Sequence, residues 1–209
     1  MAIPDDFLPP PGRGLRGIDL LLDAFPPGQL SEIVGPRSSG SSSLLLALIA
    51  RATTSGDQVA LVDGEDGFDP ASAVAAGTDL SRLLWVKCGG RLSSAWSAAD
   101  LLARCPGLAL VALDLGELPL IRRDPASPMR CRRLQRAVEG TATILVLRAP
   151  HRLAGSAAAL VVSMRRLESR WIGLPRSTRF VGFASEARVL RSRSRSQREG
   201  EGIEIEWRL

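Results

Sequence analysis

A run of small residues near the start of the chain has the spacing that binds phosphate. The motif G-x-x-x-x-G-K-[ST] is matched at every fixed position except the lysine. The run consists of Gly35, Pro36, Arg37, Ser38, Ser39, Gly40, Ser41 and Ser42. In such a loop glycines allow the tight turn, while backbone amides and a helix N-terminus attract the anion. These residue types indicate phosphate chemistry with one component missing.

The missing component is the lysine that neutralises the terminal phosphates, which here is Ser41. Ser42 stands where a hydroxyl would contact magnesium. A serine supplies no charge, so phosphoryl transfer loses one of its main electrostatic stabilisers. Weak binding of ATP and magnesium through the amides, with Arg37 as substitute cation, stays open, and so does an ordinary Ser/Gly-rich turn. We expect no cofactor, no metal and no catalytic residue.

Two carboxylates follow apolar runs that predict buried strands. Glu65 comes shortly after residues 58–62, and Asp114 directly follows residues 108–113. Ordinary interpretations of both residues stay open: Glu65 as a solvated acid after a strand, and Asp114 as a cap of the next helix.

The elements that would position these residues alternate between strand and helix. Strands that are apolar throughout imply a parallel sheet covered by helices, and hence an α/β fold. Predicted strands are 30–34, 58–62, 83–87, 108–113 and 143–147, and predicted helices are 17–22, 44–53, 70–76, 95–103 and 129–139. Four further strands, at 158–165, 178–184, 188–193 and 202–207, predict an antiparallel extension at one edge.

The domain organisation that we predict is simple. Residues 1–16, rich in Pro and Gly, form a flexible leader, and residues 17–209 form one domain whose β extension covers about 158–209. No apolar run approaches the roughly 20 residues that span a bilayer, and the N-terminus lacks a signal-peptide layout. We therefore expect a cytoplasmic protein. Three separated cysteines and one histidine fit neither a disulfide framework nor a metal site.

The segment from Phe25 to about Lys87 resembles the ATPase core of the bacterial recombinase RecA. The matching stretches are Phe25-Pro26-Pro27-Gly28, Glu32-Ile33-Val34-Gly35-Pro36, Ser38-Ser39-Gly40, Leu61-Val62-Asp63-Gly64-Glu65, Asp69-Pro70, Gly77-Thr78-Asp79-Leu80 and Leu83-Leu84. The resemblance implies a RecA-like fold, a mostly parallel sheet flanked by helices. It also implies that Glu65 occupies the position of the glutamate that polarises the attacking water. Asp114 then matches the Walker B aspartate that supports magnesium.

The chain departs from RecA in ways that bear on function. At 209 residues it is expected to lack RecA's N-terminal oligomerisation helix and C-terminal DNA-gathering domain. The first DNA-binding loop is shortened, although it keeps Arg122 and Arg123. A strand that ends in Arg148-Ala149 lacks the Asn-Gln pair that couples nucleotide to DNA in RecA, and the second DNA loop is reduced to 150–156. These departures argue against filament formation and strand exchange.

A short RecA-like chain with such losses resembles ImuA, an accessory factor of damage-induced mutagenesis in bacteria. The resemblance implies a non-catalytic adaptor in DNA repair and SOS-type translesion synthesis, associated with the nucleoid on damage. Its expected partners are a Y-family polymerase-like protein of the ImuB type and an error-prone replicative-type polymerase, with RecA and single-stranded DNA as further candidates. The alternatives are a weakly hydrolysing RecA-like DNA-dependent ATPase and a SulA-like cell-division inhibitor.

Arginines are concentrated in two segments that are candidates for contact with a nucleic-acid backbone. The net charge is +5, with 27 Lys+Arg, of which Lys87 is the only lysine. The predicted helix 129–139 carries Arg130, Arg132, Arg133 and Arg136. Helical spacing places Arg132 and Arg136 on one face, with Arg133 near both, so that they form a stripe. Tail arginines that alternate with serines on one face of a strand are Arg188, Arg191, Arg193 and Arg195. A solvated surface or a charged edge strand explains the same residues. Aromatic residues are few, and Trp96, Trp171 and Trp207 have no assigned place.

Overall fold

The computed structural model describes residues 15–118, 125–174, 177–193, 200 and 202–208. The helices are α1 (Leu15–Leu22), α2 (Ser41–Thr54), α3 (Pro70–Ala75), α4 (Leu92–Leu102) and α5 (Ser127–Val138), with a 3-10 turn at Leu80–Arg82. The strands are β1 (Leu30–Val34), β2 (Gln58–Asp63), β3 (Leu83–Lys87), β4 (Leu108–Asp114), β5 (Ile144–Ala149), β6 (Leu160–Leu174), β7 (Ser177–Ser192) and β8 (Gly202–Arg208). None of the described helices is long and apolar enough to cross a membrane.

All eight strands form one sheet in the order β3-β2-β4-β5-β1-β6-β7-β8. Strands β1 to β5 pair in parallel, and β6 is parallel to β1. Strands β7 and β8 continue the sheet in antiparallel pairing. This architecture confirms the predicted α/β fold, with a mostly parallel sheet and an antiparallel C-terminal extension.

The sheet is apolar on both faces because helices cover both. Every residue of β1 is buried, and its side chains alternate between two apolar clusters. Leu30 and Val34 pack with α4 and α5, while Ile33 packs with α2 and Phe25. Parallel strands end at a common edge, so the residues that follow β1, β2, β4 and β5 meet above that edge.

The extension differs from the sequence prediction in two respects. Strand β6 continues to Leu174, whereas the predicted strand ends at residue 165. Separate strands at 178–184 and 188–193 were expected, but β7 runs unbroken through residues 185–187. The prediction was wrong because β6 and β8 pair with β7 on either side over these residues. Register shifts within the β6–β7 pairing absorb the extra residues, as β-bulges do.

Candidate functional site

The phosphate-type loop, residues 35–42, lies between β1 and the start of α2, as the sequence predicted. Its turn uses positive φ at Ser38 (63°) and at Gly40 (91°). Ser39 Oγ accepts a hydrogen bond from the backbone N–H of Ser41 at 3.3 Å, which fixes the last turn before the helix. Ser39 and Ser41 are buried, whereas Ser42 is exposed. The loop is therefore braced by its own side chains.

The C-terminal extension packs directly against this loop. Ser185 Oγ on β7 donates to the carbonyl oxygen of Ser39 at 2.7 Å. A Cβ at Gly40 would lie 2.5 Å from Ser185 Oγ and 3.0 Å from Trp207 Nε1, so only glycine fits there. Trp207 Nε1 is buried and has no hydrogen-bond partner among the described residues. Strands β7 and β8 thus form one wall of the site.

Arg148, near the end of β5, joins the two elements expected to serve nucleotide chemistry. Its Nε donates to Asp114 Oδ1 at 2.7 Å, and its Nη1 donates to Ser41 Oγ at 3.2 Å. The Arg148 side chain is 9% exposed and that of Asp114 21%. A guanidinium therefore bridges the carboxylate at the end of β4 and the hydroxyl at the expected lysine position.

The electrostatics of Asp114 follow from this enclosure. Burial raises the pKa of Asp114 above its ordinary value, while the Arg148 guanidinium and the Gly116 N–H act in the opposite direction. The Gly116 N–H donates to Asp114 Oδ1 at 2.9 Å, the oxygen that also accepts from Arg148. That oxygen has two donors within the protein itself.

Glu65 lies beside the loop, in the turn that follows β2. Its Oε2 pairs with Arg37 Nη2 at 3.5 Å, and a Cβ at Gly116 would overlap this carboxylate. Asp63 shapes the turn because its carboxylate accepts the backbone N–H groups of Gly67 and Phe68 at 3.0 and 2.9 Å. The structure thus brings Glu65, Arg37 and Asp114 to one edge of the sheet.

The segment 150–159 returns across the sheet between β5 and β6 and is fixed to it. Glu32 Oε1 on β1 accepts the N–H groups of Leu153 and Ala154 at 2.5 and 2.9 Å. Arg191 Nη1 and Arg193 Nη2 donate to the carbonyl oxygens of Gly155 and Ser156 at 3.1 and 2.6 Å. The two tail arginines therefore bind this chain's own backbone.

Two of the four tail arginines, Arg188 and Arg191, share a face, as predicted. The register pairs Arg188 with Ser163 and Arg191 with Val161, two residues apart on β6. The bulge between Val161 and Val162 makes this possible, because a spacing of three residues otherwise changes the face. Arg122, Arg123 and Arg195 lie outside the described residues.

The helix arginines line a groove on the side of the sheet away from α2. A groove of about 530 Å³ lies between α4 and α5. It is lined by Arg104, Met129, Arg132, Arg133 and Arg136. Asp100 Oδ2 pairs with Arg133 Nη2 at 2.6 Å and Asp100 Oδ1 with Arg104 Nη2 at 3.2 Å. Arg130 instead lies over the Trp96 ring, 5.8 Å from its centroid. The predicted arginine stripe on one helix face is confirmed, and its role in binding nucleic acid stays a prediction.

Sequence reasoning missed the part that Arg148, Ser185 and Trp207 play at this site. Arg148 was noted only as a departure from the Asn-Gln pair of RecA. The available signal was an arginine next to the end of an otherwise apolar strand, in a chain that lacks the loop lysine. Ser185 and Trp207 gave no such signal, because their contacts with the loop depend on strand order.

Comparisons with known proteins concern the same residues. The family described as RecA N-terminal domain matches residues 13–117, that is, 105 of 209 residues. RecA of Borrelia hermsii is 34% identical over 114 residues, covering 50% of this chain and 32% of the relative. RecA of Streptomyces coelicolor is 33% identical over 105 residues, covering 50% of this chain and 28% of the relative. The chain thus spans about a third of the length of these curated relatives.

A solved structure extends the likeness beyond the matched half. The crystal structure of the RadB recombinase superposes with a TM-score of 0.64 at 22% identity. The superposition covers 90% of this chain and 92% of that chain. At this level of identity the comparison supports the fold alone.

Proposed function

The chain belongs to the RecA N-terminal domain family, and from that premise we propose that it is a non-catalytic accessory protein of DNA repair. The observation that carries the proposal is the contact of Arg148 with Asp114 and Ser41. In this family, a lysine and a magnesium ion would supply positive charge to a nucleotide bound at this edge of the sheet. Here the positive charge comes from a neighbouring strand and is directed at the carboxylate.

ATP and magnesium are the groups that the family implies for this edge, and we infer that the residues present do not fit them. The position expected for lysine holds a hydroxyl that accepts a hydrogen bond from Arg148. The carboxylate expected to support magnesium already accepts the Arg148 Nε and the Gly116 N–H. Breaking a buried ion pair of this kind costs about 3–5 kcal/mol, which magnesium would have to offset. We derive no catalytic step through either group.

The biological role follows the resemblance to ImuA. We propose an adaptor in SOS-type translesion synthesis that binds a Y-family polymerase-like protein and an error-prone replicative-type polymerase, with RecA or single-stranded DNA as a further contact. A RecA-type core without nucleotide chemistry suits this role, because an adaptor needs a stable surface and no turnover. The groove between α4 and α5, with its exposed Met129, offers such a surface.

The rival function, a weak ATPase, has one observation in its favour. Glu65 keeps its place beside the loop and pairs with Arg37, the cation considered as a substitute for lysine. The Arg37 side chain is 74% exposed, however, and its partner is the very glutamate that would orient water. An exposed pair of this kind is weak. Arg148 is more buried than Arg37 and contacts the expected lysine position directly. The accessory protein and the weak ATPase therefore predict different effects of removing Arg148 on ATP binding.

The test is a double-mutant cycle on ATP binding, measured by calorimetry with magnesium. We expect no binding by the natural protein, and none by Ser41→Lys, which adds a second cation beside Arg148. Arg148→Gln alone leaves Asp114 buried without its ion pair and lowers the stability. The double variant Ser41→Lys/Arg148→Gln restores one cation beside Asp114, so it regains stability and gains ATP binding.

Arg37→Gln serves as the matched control, because it removes an exposed arginine from the same loop. It leaves every result unchanged under the proposed function. Binding or hydrolysis of ATP by the natural protein that disappears in Arg148→Gln would show that Arg148 replaces the lysine. The same loss in Arg37→Gln would establish the rival ATPase.

A further inference from the structure

The C-terminal extension has two faces of opposite character. The register places Glu168, Glu186, Glu204 and Glu206, the described acids of the extension, on one face. They pair there with arginines: Arg165 with Glu186 at 3.1 Å, and Arg170 with Glu168 at 3.2 Å and Glu206 at 2.7 Å. On this face Glu168, Glu186 and Glu206 are therefore paired with arginines.

The other face, which we call the aromatic face, carries a row of four rings with one arginine beside it. The rings are those of Trp171, Phe180, Phe183 and Trp207, and the arginine is Arg166. Ring centroids follow one another at 5.0 Å from Trp171 to Phe180, 6.5 Å from Phe180 to Phe183, and 6.2 Å from Phe183 to Trp207. The Phe180 and Phe183 planes differ by 13° and those of Phe183 and Trp207 by 29°. The row crosses three strands and ends at the phosphate-type loop, where Trp207 approaches Gly40.

Charge and exposure distinguish this row from an ordinary hairpin core. Trp171 is 58% exposed, and Phe180, Phe183 and Trp207 are only partly buried. The Arg166 guanidinium lies 5.1 Å from the Phe183 centroid, and no acid of the described residues shares this face by register. Cross-strand ring pairs alone would stabilise the hairpin, but they do not require a ring left in solvent or all acids on the opposite side.

We propose that the aromatic face is a stacking platform for single-stranded DNA. Sequence-tolerant binders of single strands combine successive aromatic rings, on which bases stack, with arginine and a positive path for the backbone. The rings supply the stacking, Arg166 the adjacent cation, and the loop amides beside Trp207 an anion-attracting end. The aromatic face uses none of the residues between Asp114 and Met129 or in 150–156, to which the resemblance to RecA assigns the two DNA-binding loops.

A protein segment is the competing occupant of such a face. The ring planes of Phe180, Phe183 and Trp207 lie within 29° of their neighbours, whereas Trp171 is tilted by 58° against Phe180. A row of rings with an adjacent arginine, and with no described acid of β6, β7 or β8 on its face, suits stacked bases beside a phosphate backbone, whereas an apolar peptide needs no cation there. The inference rests on the proposed role at DNA. Its test contains no ATP, so this inference and the proposal that ATP does not bind can fail independently.

The experiment measures binding of fluorescein-labelled oligo(dT) of about 20 nucleotides by anisotropy at low salt, together with quenching of tryptophan fluorescence. We expect binding with quenching, and a loss of about tenfold or more in affinity in Trp171→Ala and in Phe180→Ala, as for the loss of one stacked base. Trp171→Phe keeps a ring and retains most of the affinity. Leu84→Ala, an exposed apolar truncation on the far edge strand β3, leaves the affinity unchanged.

Three outcomes would overturn the proposal. Absence of oligo(dT) binding by the natural chain is the first. The second is affinity that survives in a folded Trp171→Ala protein but is lost in Arg132→Glu/Arg136→Glu, which would place the DNA in the groove between α4 and α5. The third is unchanged DNA affinity in Trp171→Ala with an altered oligomeric state on a sizing column, which would make the aromatic face an interface between protein chains.

Discussion

Glu32 is a buried charge in the middle of the sheet, and its surroundings make stability depend on pH. It is fully buried, and its Oε2 has no hydrogen-bond partner among the described residues. Burial raises the pKa of Glu32, against the opposing effect of the Leu153 and Ala154 N–H groups. The native state therefore binds more protons than the unfolded state between the two pKa values. The stability that Glu32 contributes is complete below the unfolded pKa and is lost as pH rises through the folded pKa.

We therefore predict that the free energy of unfolding of Glu32→Gln increases relative to that of the natural protein as pH rises from about 4 to 8. The amide keeps an acceptor for the two N–H groups and buries no charge. Urea unfolding across this pH range measures the difference in free energy. Glu32→Ala follows the same pH trend but leaves both N–H groups without an acceptor, so it is less stable than Glu32→Gln by about 2–5 kcal/mol at every pH. Glu139→Gln, at an exposed position, is the control, and a Glu32→Gln profile no steeper than that of Glu139→Gln would contradict the assignment.

At the scale of elements, the docking of β7 and β8 on the phosphate-type loop makes Gly40 sensitive to two separate effects. Its φ of 91° disfavours any side chain, and a Cβ would meet Ser185 Oγ. We predict that Gly40→Ala costs more than about 2 kcal/mol of unfolding free energy and that Ser185→Ala costs about 1 kcal/mol. The double variant costs less than the sum, because removing Ser185 Oγ relieves the overlap.

Gly77→Ala is the matched control for that cycle. Gly77 has a φ of 92°, and a Cβ there would meet nothing within 4 Å. It therefore reports backbone strain alone, which we expect to be about 1 kcal/mol. If Gly40→Ala cost no more than Gly77→Ala in denaturant unfolding, the contact between the extension and the loop would contribute nothing.

The elements also divide into those that local pattern determines and those that it does not. Strands β1 and β3 have the predicted bounds because turn residues border each of these short segments. Helix α2 begins at Ser41, three residues before the predicted start, because serines in a first turn carry no apolar periodicity. The sequence predicted only parts of β6 and β7, at 158–165, 178–184 and 188–193, because pairing with neighbouring strands sustains their full length. The resemblance along the chain was enough to place Glu65 and Asp114 at the site. The contacts of Arg148 were not predictable in this way, because they depend on β5 lying between β4 and β1.

At the scale of the whole molecule, the extension shares its core with the matched RecA-type half. Ala187, Val189 and Ile205 from β7 and β8 belong to the same apolar cluster as Leu44 and Ile33. The two halves of the chain are therefore not expected to unfold separately, since losing β7 and β8 exposes the cluster that holds α2. Strand β6 adds a direct link through its parallel pairing with β1.

We predict one cooperative unfolding transition reported equally from both ends of the molecule. Trp96 lies on α4 in the cluster on one side of the sheet, and Trp207 lies on β8 against the cluster on the other. Two variants, each keeping only one of these tryptophans through Trp→Phe substitutions, should each show a fluorescence midpoint in urea that coincides with its own midpoint by circular dichroism. An earlier transition at Trp207 than the circular dichroism of the same variant would mean that the extension opens while the RecA-type core stays folded. The aromatic face would then belong to a separately mobile unit, and the braced loop beside Gly40 would be a feature of only part of the native population.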